Sequence, residues 1–509
     1  MLINYVPNDP RASAFNRPRS QTPRKNRPKG RAGFDLGSMP AAKPYPVGSD
    51  DALAWQSREA AFAAVEVFET LHGPVKKWAR STRSKVLELT RDSGLDLNAY
   101  YDGEGVRFFH YPVGRVTKFS GASAEIVSHE VGHALLDTIR PALWDSNFPE
   151  VAAFHEAFGD CIAMLTAIAD PEMRKALVRL VDRRNFAETF GEDLSWAALK
   201  VIGTKCNASK PRQARNTFQW ALPATLAADG RGGTLINEPH SFGQVFTGCF
   251  YDIIALTFAH GARSEAALWN AAATAARALF AAAKVAPITP RFYQAVGRAM
   301  VLHDDSASPN MRAVVTQAFA SHGIALGSAA ATAPRATVAG GRLRRSAIGA
   351  PALMPATSAD LRARLGVAKG TPLHVRGVTL GGERFVEATH ERRVDLSGLA
   401  RYLDGVSATG SEPILVAPVR NAMAIMSNVP DAGTTTDEVH AFVRGLVARD
   451  EIAHAGNTPA LAAKRHGAVA AAPVQKPPHT ARTHEVVRRR GEAMLQRVRF
   501  ACGCGFCGL

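Results

Sequence analysis

Two histidines four residues apart, His129 and His133, with Glu130 between them, form a His-Glu-x-x-His sequence inside SAEIVSHEVGHALLDTIR, residues 123–140. On a helix such a pair lies on one face, one turn apart, so both imidazoles converge on a single ion. Glu130 lies about 100° round the helix from His129, beside that ion without having to bind it, where a general base for a metal-activated water belongs. A closed structural zinc site takes four protein ligands, and a catalytic one takes three with a position left open, so a third ligand is expected elsewhere. The run PEVAAFHEAFGDCIAMLTAIA, residues 149–169, carries Glu156 and Asp160 four apart in an otherwise almost wholly apolar stretch. A carboxylate on a buried helix face is costly unless paired or metal-bound. Glu156 is therefore the candidate third ligand, and Asp160 the candidate acceptor for the outer N–H of a ligand histidine. Two half-exposed acids on an amphipathic helix are the plainer alternative. His155 points elsewhere on that helix and reads as a core or rim histidine.

These residues need two helices held close together. Ser123 is placed to cap the first, Pro141 lies just past its end, and Ile126, Val127, Val131, Ala134, Leu135 and Ile139 recur at helical spacing. Gly132 inside the motif costs about 1 kcal/mol of helix stability relative to Ala, which an ordinary buried helix has little reason to accept.

His129-Glu130-x-x-His133, followed twenty-three residues later by Glu156 in EAFGD, resembles the thermolysin-like (gluzincin) zinc metallopeptidases, whose second motif is Glu-x-x-x-Asp. The competing zinc-protease pattern extends the first motif by x-x-Gly-x-x-His, and Leu136 and Ile139 stand in those places, which excludes it. The resemblance spans roughly residues 51–324. It implies a two-lobed α+β zincin domain, a mixed-sheet lobe and a helical lobe with the active site in the cleft. It also implies one catalytic Zn²⁺ and hydrolysis of peptide bonds, with Glu130 as general base. Asn98-Ala99-Tyr100-Tyr101 corresponds to the family's edge strand, so Asn98 and Ala99 are implied substrate-binding residues. On pattern alone this strand reads equally as a packing hairpin. His240, in NEPHSFGQVF, falls where the family has a histidine that stabilises the tetrahedral intermediate. The sequence departs from the pattern: Leu235 replaces the Asp that orients that histidine, leaving Glu238 or Asn237 as orienters, and the family's second intermediate-stabilising tyrosine and its substrate-carboxylate arginine have no assigned counterparts. No acidic cluster is evident that would justify structural calcium, and calcium is not expected.

The whole chain is 509 residues with a net charge of +16, long enough for two or three domains and attracted to anionic surfaces or polymers. Residues 1–48, rich in Arg, Pro and Gly, are expected to be a disordered basic arm, either solvated or touching nucleic acid or acidic lipid. Neither a signal-peptide core nor an apolar run of about 18 residues is present, so no transmembrane segment is expected. The expected location is the cytoplasm, or outside it by a route without a classical signal. Residues 51–90 read as two helices broken at Gly73-Pro74, and residues 49–326 form the peptidase domain. A linker over 327–358 leads to a small α+β unit over 359–455, for which binding, autoinhibition and covering roles are all open. Residues 456–509 read as an Ala/Pro-rich linker, a short basic helix around Arg488 and Arg489, and a tail with Cys502, Cys504 and Cys507, whose spacing matches no full zinc site. Against the enzyme stands one rival class: a catalytically weak or inactive peptidase-like scaffold that binds a protein or anionic partner.

Overall fold

Ser123 caps the motif helix as its position predicts, its side chain accepting from the Ile126 N–H at 3.3 Å. A computed structural model describes residues 1–302, 310–326, 373–380, 383–419, 422–425, 432–454, 482–489 and 491–501. The architecture is mixed α+β. Its helices are α1 (Asp50–His72), α2 (Ala124–Ile139), α3 (Pro149–Ala169), α4 (Pro171–Leu177), α5 (Glu192–Val201), α6 (Pro239–Ala259), α7 (Glu265–Val285), α8 (Phe292–Leu302), α9 (Met311–Ser321) and α10 (Ala432–Ala448). The expected pair of helices over 51–90 is a single helix: α1 stops at Gly73, which takes φ +105°, and the chain then runs out to the strand Val86–Thr90.

One mixed sheet stands beside α2, in the order Phe500–Ala501, Ala99–Tyr101, Gly105–Phe108, Val86–Thr90, Gly33–Asp35. Its first two pairings are antiparallel and its last two parallel. Helices α2, α3 and α6 pack at the centre, where Phe154 meets Phe246 and Phe292 edge-on at 4.9 and 5.1 Å. Both α3 and α6 are long and apolar enough to cross a membrane, yet 94% and 72% of those stretches are buried inside this fold. Their apolar faces are already covered by the core.

Residues 1–48 correct the expectation of a disordered arm. Ile3–Tyr5 pairs antiparallel with Arg19–Gln21, Ile3 and Tyr5 are buried, and the basic side chains meet acids of the body. Arg19 pairs with Asp170, Arg24 with Glu66 at 2.8 Å, and Arg27 with Glu69 at 2.8 Å. Charge that composition reads as solvating is here matched by the acidic outer face of α1.

The C-terminal region also differs from expectation. Strands Leu373–Leu380, Glu383–Asp395, Val406–Val419, Ala422–Ile425, Ile452–Ala453, His484–Arg489 and Glu492–Arg497 share one seven-stranded sheet, so the expected basic helix is a hairpin that belongs to the preceding unit. Alternation decides it: Ala493, Leu495 and Arg497 are buried between more exposed neighbours, a period of two rather than 3.6. The linkers over 327–358 and 456–480, and Cys502, Cys504 and Cys507, lie outside the described residues.

Candidate metal centre

Helices α2 and α3 can approach closely only because glycines face each other where they cross. A Cβ on Gly132 would stand 2.9 Å from the Gly159 Cα, and one on Gly159 would stand 2.6 Å from His129 Nδ1. Gly132, costly within its own helix, is thus explained by packing between helices. Gly159 lies between Glu156 and Asp160, so the same crossing brings both carboxylates against the motif histidines.

Three imidazole nitrogens converge on one carboxylate oxygen. Glu156 Oε2 lies 3.2 Å from His129 Nε2, 3.6 Å from His133 Nε2 and 2.9 Å from His240 Nε2. The Glu130 carboxylate shares the neighbourhood, within 4.8 Å of ligand nitrogens of His129 and His133. All five side chains are buried, none more than 5% exposed. Burial pushes His133 down to about 3, so its ring is neutral and its nitrogens are not both donors. Neither nitrogen finds a hydrogen-bond partner among the described residues. A buried neutral ring aimed at a carboxylate oxygen is poorly satisfied alone, and a cation between them would satisfy both. Glu156 is ready to be that anion: burial raises its pKa, but His240 and the hydrogen bond with His129 help to hold the group well below the usual carboxylate range.

Around this set stands a supporting layer. Asp160 Oδ1 lies 2.9 Å from His129 Nδ1, a contact that turns the Nε2 lone pair inward. Arg212 donates to Asp160 twice, at 3.0 and 2.7 Å. Despite burial, Arg212 and His129 hold Asp160 ionised, down to about 2. Between the two orienters that the sequence left open for His240, the structure selects Glu238, whose Oε1 is 2.7 Å from His240 Nδ1. That carboxylate also caps α6, accepting from the His240 and Ser241 N–H groups at 3.1 and 2.8 Å. Helix start and ring orientation are therefore fixed by one residue.

Asn98 and Ala99 stand at the start of the strand beside α2, both buried, with Asn98 Oδ1 accepting from the Ala99 N–H at 2.8 Å. The outer edge of this strand is taken by Phe500–Ala501. A cavity opens from His240 and Arg212 toward Leu97, Ile126, Leu194 and Ile202, apolar on one wall and cationic on the other. No protein-family model matches this chain, and no curated protein matches it.

Arg212 and Phe500 escaped the sequence reading because each reaches the centre from a distant segment. The same is true of a second cluster, made of acids alone. Asp9, Glu125 and Glu192 bring carboxylate oxygens within 4.8 Å of one another. Burial, reinforced by the charge of Asp193, raises Asp9 to about 6, and burial with repulsion from Asp9 raises Glu192 to about 8. Only Glu125 lies near the motif, one turn before His129, so no local spacing announced the other two.

Proposed function

We infer that this chain is a thermolysin-like zinc peptidase that hydrolyses peptide bonds in extended polypeptides. The observation that carries the reading is the convergence of His129, His133 and His240 Nε2 on Glu156 Oε2, with Glu130 alongside. A structural zinc site has no use for Glu130, whereas a hydrolytic one does. His129, His133 and Glu156 would hold the ion, with Asp160 and Arg212 fixing the His129 ring. Bound there, zinc would supply Lewis-acid activation of water and of the scissile carbonyl.

The remaining steps belong to the chain. Glu130 takes the water proton and returns it to the departing amine, a role that suits a carboxylate next to the ion but outside its ligand set. His240, its Nδ1 fixed by Glu238, presents Nε2 to the negative charge that develops on the carbonyl oxygen. With its outer edge freed of Phe500–Ala501, the strand Ala99–Tyr101 would offer main-chain hydrogen bonds to an extended substrate, and the cavity beside Arg212 and Ile126 would receive a side chain next to the cleaved bond.

Zinc content by elemental analysis, measured together with chelator-sensitive cleavage of casein, tests the reading. Glu130→Gln is expected to keep one zinc per chain and to lose about 10²–10⁴-fold in kcat. Glu156→Ala is expected to lose the metal. Wild-type turnover in Glu130→Gln would sink the assignment of the base. The scaffold reading draws on the burial of every residue of the centre and on the Phe500–Ala501 strand that takes the outer edge of Ala99–Tyr101.

A further inference from the structure

The strand Ala99–Tyr101 has one neighbour from its own region, Gly105–Phe108, and on its other side Phe500–Ala501, with 399 residues from Tyr101 to Phe500 in sequence. Phe500 pairs antiparallel with Tyr101, and Ala501 with Tyr100. An edge strand is where an extended peptide joins a sheet, and here that place is already filled.

The filling reaches the metal centre. The Phe500 ring, 2% exposed, stacks on His133 at 4.9 Å and on His155 at 3.9 Å, and meets Trp144 edge-on at 5.3 Å. Arg499 lies over Tyr100 at 4.6 Å, and Arg497 lies over Phe500 at 4.3 Å. Trp144 Nε1 donates to the Arg497 carbonyl at 3.2 Å, which holds the strand from the side of α2.

The unit behind the strand is fastened on the opposite side of the centre. Arg449 donates to the Asn237 and Ala228 carbonyls at 2.8 and 3.0 Å, Asn237 donates to the Ala441 carbonyl at 3.2 Å, and Arg291 pairs with Glu438 at 2.8 Å. Asn237 is three residues from His240. The C-terminal unit therefore spans the centre from Tyr100 and Trp144 on one side to Asn237 and Arg291 on the other.

We propose that the chain is self-inhibited: Phe500–Ala501 occupies the substrate's place on the Ala99–Tyr101 strand, and Phe500 fills an aromatic pocket formed by His133, His155 and Trp144. This rests on the peptidase reading for its consequence, but not for the occupancy itself. Two corollaries follow. The substrate position that Phe500 mimics takes an aromatic side chain, and the enzyme becomes active when the C-terminal strand is displaced or removed.

The test compares three forms: the full chain, a chain ending at Val498, and full-length Phe500→Ala, which keeps the backbone and covers the case in which truncation fails to fold. Hydrolysis of fluorescein-labelled casein is read alongside binding of a labelled peptide with the sequence of residues 484–501. A tethered strand at an effective concentration of about 1 mM, against a free-peptide affinity of about 100 µM, gives suppression of about tenfold. The truncated chain is therefore expected to cleave casein about tenfold faster than the full chain, with Phe500→Ala in between. Adding the peptide in trans is expected to restore suppression, and the same peptide with Phe500→Ala is not. Variants that keep their zinc and their circular dichroism spectrum but cleave no faster than the full chain would overturn the proposal. If no form cleaves casein, peptide binding to the truncated chain still supports the occupancy while the peptidase reading fails; absence of binding overturns both.

Discussion

Helix α2 serves two clusters one turn apart, and they have opposite electrostatic characters. Around His129, three imidazoles face one carboxylate, a set that suits a soft or borderline cation. Around Glu125, three carboxylates face one another, and burial answers with raised pKa values. The first cluster holds its anion ionised, because Glu156 has cationic or hydrogen-bonding partners on several sides. The second relieves its repulsion by holding protons. Burial acts in the same direction on the acids of both, so partner identity, not depth, separates a ligand set from a group of protonated acids.

The largest effect expected from probing this contrast concerns His240. If it is a donor to the developing charge, His240→Ala keeps its zinc and loses about 10²–10³-fold in kcat. Loss of zinc in that variant would instead make the first cluster a four-ligand site, closed in the manner of a structural one. Metal analysis and steady-state kinetics on one preparation decide between them.

Next in size is Gly159→Ala. The new methyl would meet His129 Nδ1 at 2.6 Å, where Asp160 now sits, so ring and carboxylate must part. Zinc affinity is expected to fall about 10–100-fold, measured by competition with a chromogenic chelator. Unchanged affinity would mean that the helix crossing does not position the ligand.

The second cluster gives the smallest effect, and one of opposite sign. Its acids have folded pKa values above the ordinary 3.8 and 4.5, so the folded chain binds more protons than the unfolded one over that interval. Stability from this cluster is therefore greatest in acid and falls as pH rises through about 6 to 8. Glu192→Gln removes one source of repulsion. Its melting temperature is expected to exceed the wild type by about 1–2 °C at pH 8, with the difference shrinking toward pH 5. A variant less stable at pH 8 would show that the carboxylates are matched by a cation in solution. Substitution of His129, His133 or Glu156 in the first cluster would remove a candidate metal ligand, whereas substitution here removes a conflict.

Much of the first centre was legible in the chain. His129 and His133 share a face because any helix places them so, and Glu156 and Asp160 stood out because an apolar helix tolerates carboxylates only when something answers them. Capping by Ser123 followed from residue type. The terminal segments were not legible, because their disposition depends on what they meet. An Arg-rich stretch is solvated unless acids await it, and the acids that bind Arg24 and Arg27 lie about forty residues away on α1. The hairpin of His484–Arg489 and Glu492–Arg497 carries a run of arginines that masks its alternation in the sequence.

The sequence alone determined which side chains are capable of holding a metal ion, since that follows from residue types at helical spacing on two adjacent helices. Only the tertiary structure decided what stands around them: Arg212 on Asp160, Glu238 on His240, and Phe500 on His133. These come from segments 52, 2 and 367 residues distant from the groups they touch. Glu238 is near enough for its role to be guessed, and it was left as one of two choices until backbone geometry selected it. Periodicity carries information over a few helical turns and no further. Beyond that range, contact is set by which surfaces the folded chain buries together, as where Phe500–Ala501 joins the Ala99–Tyr101 strand.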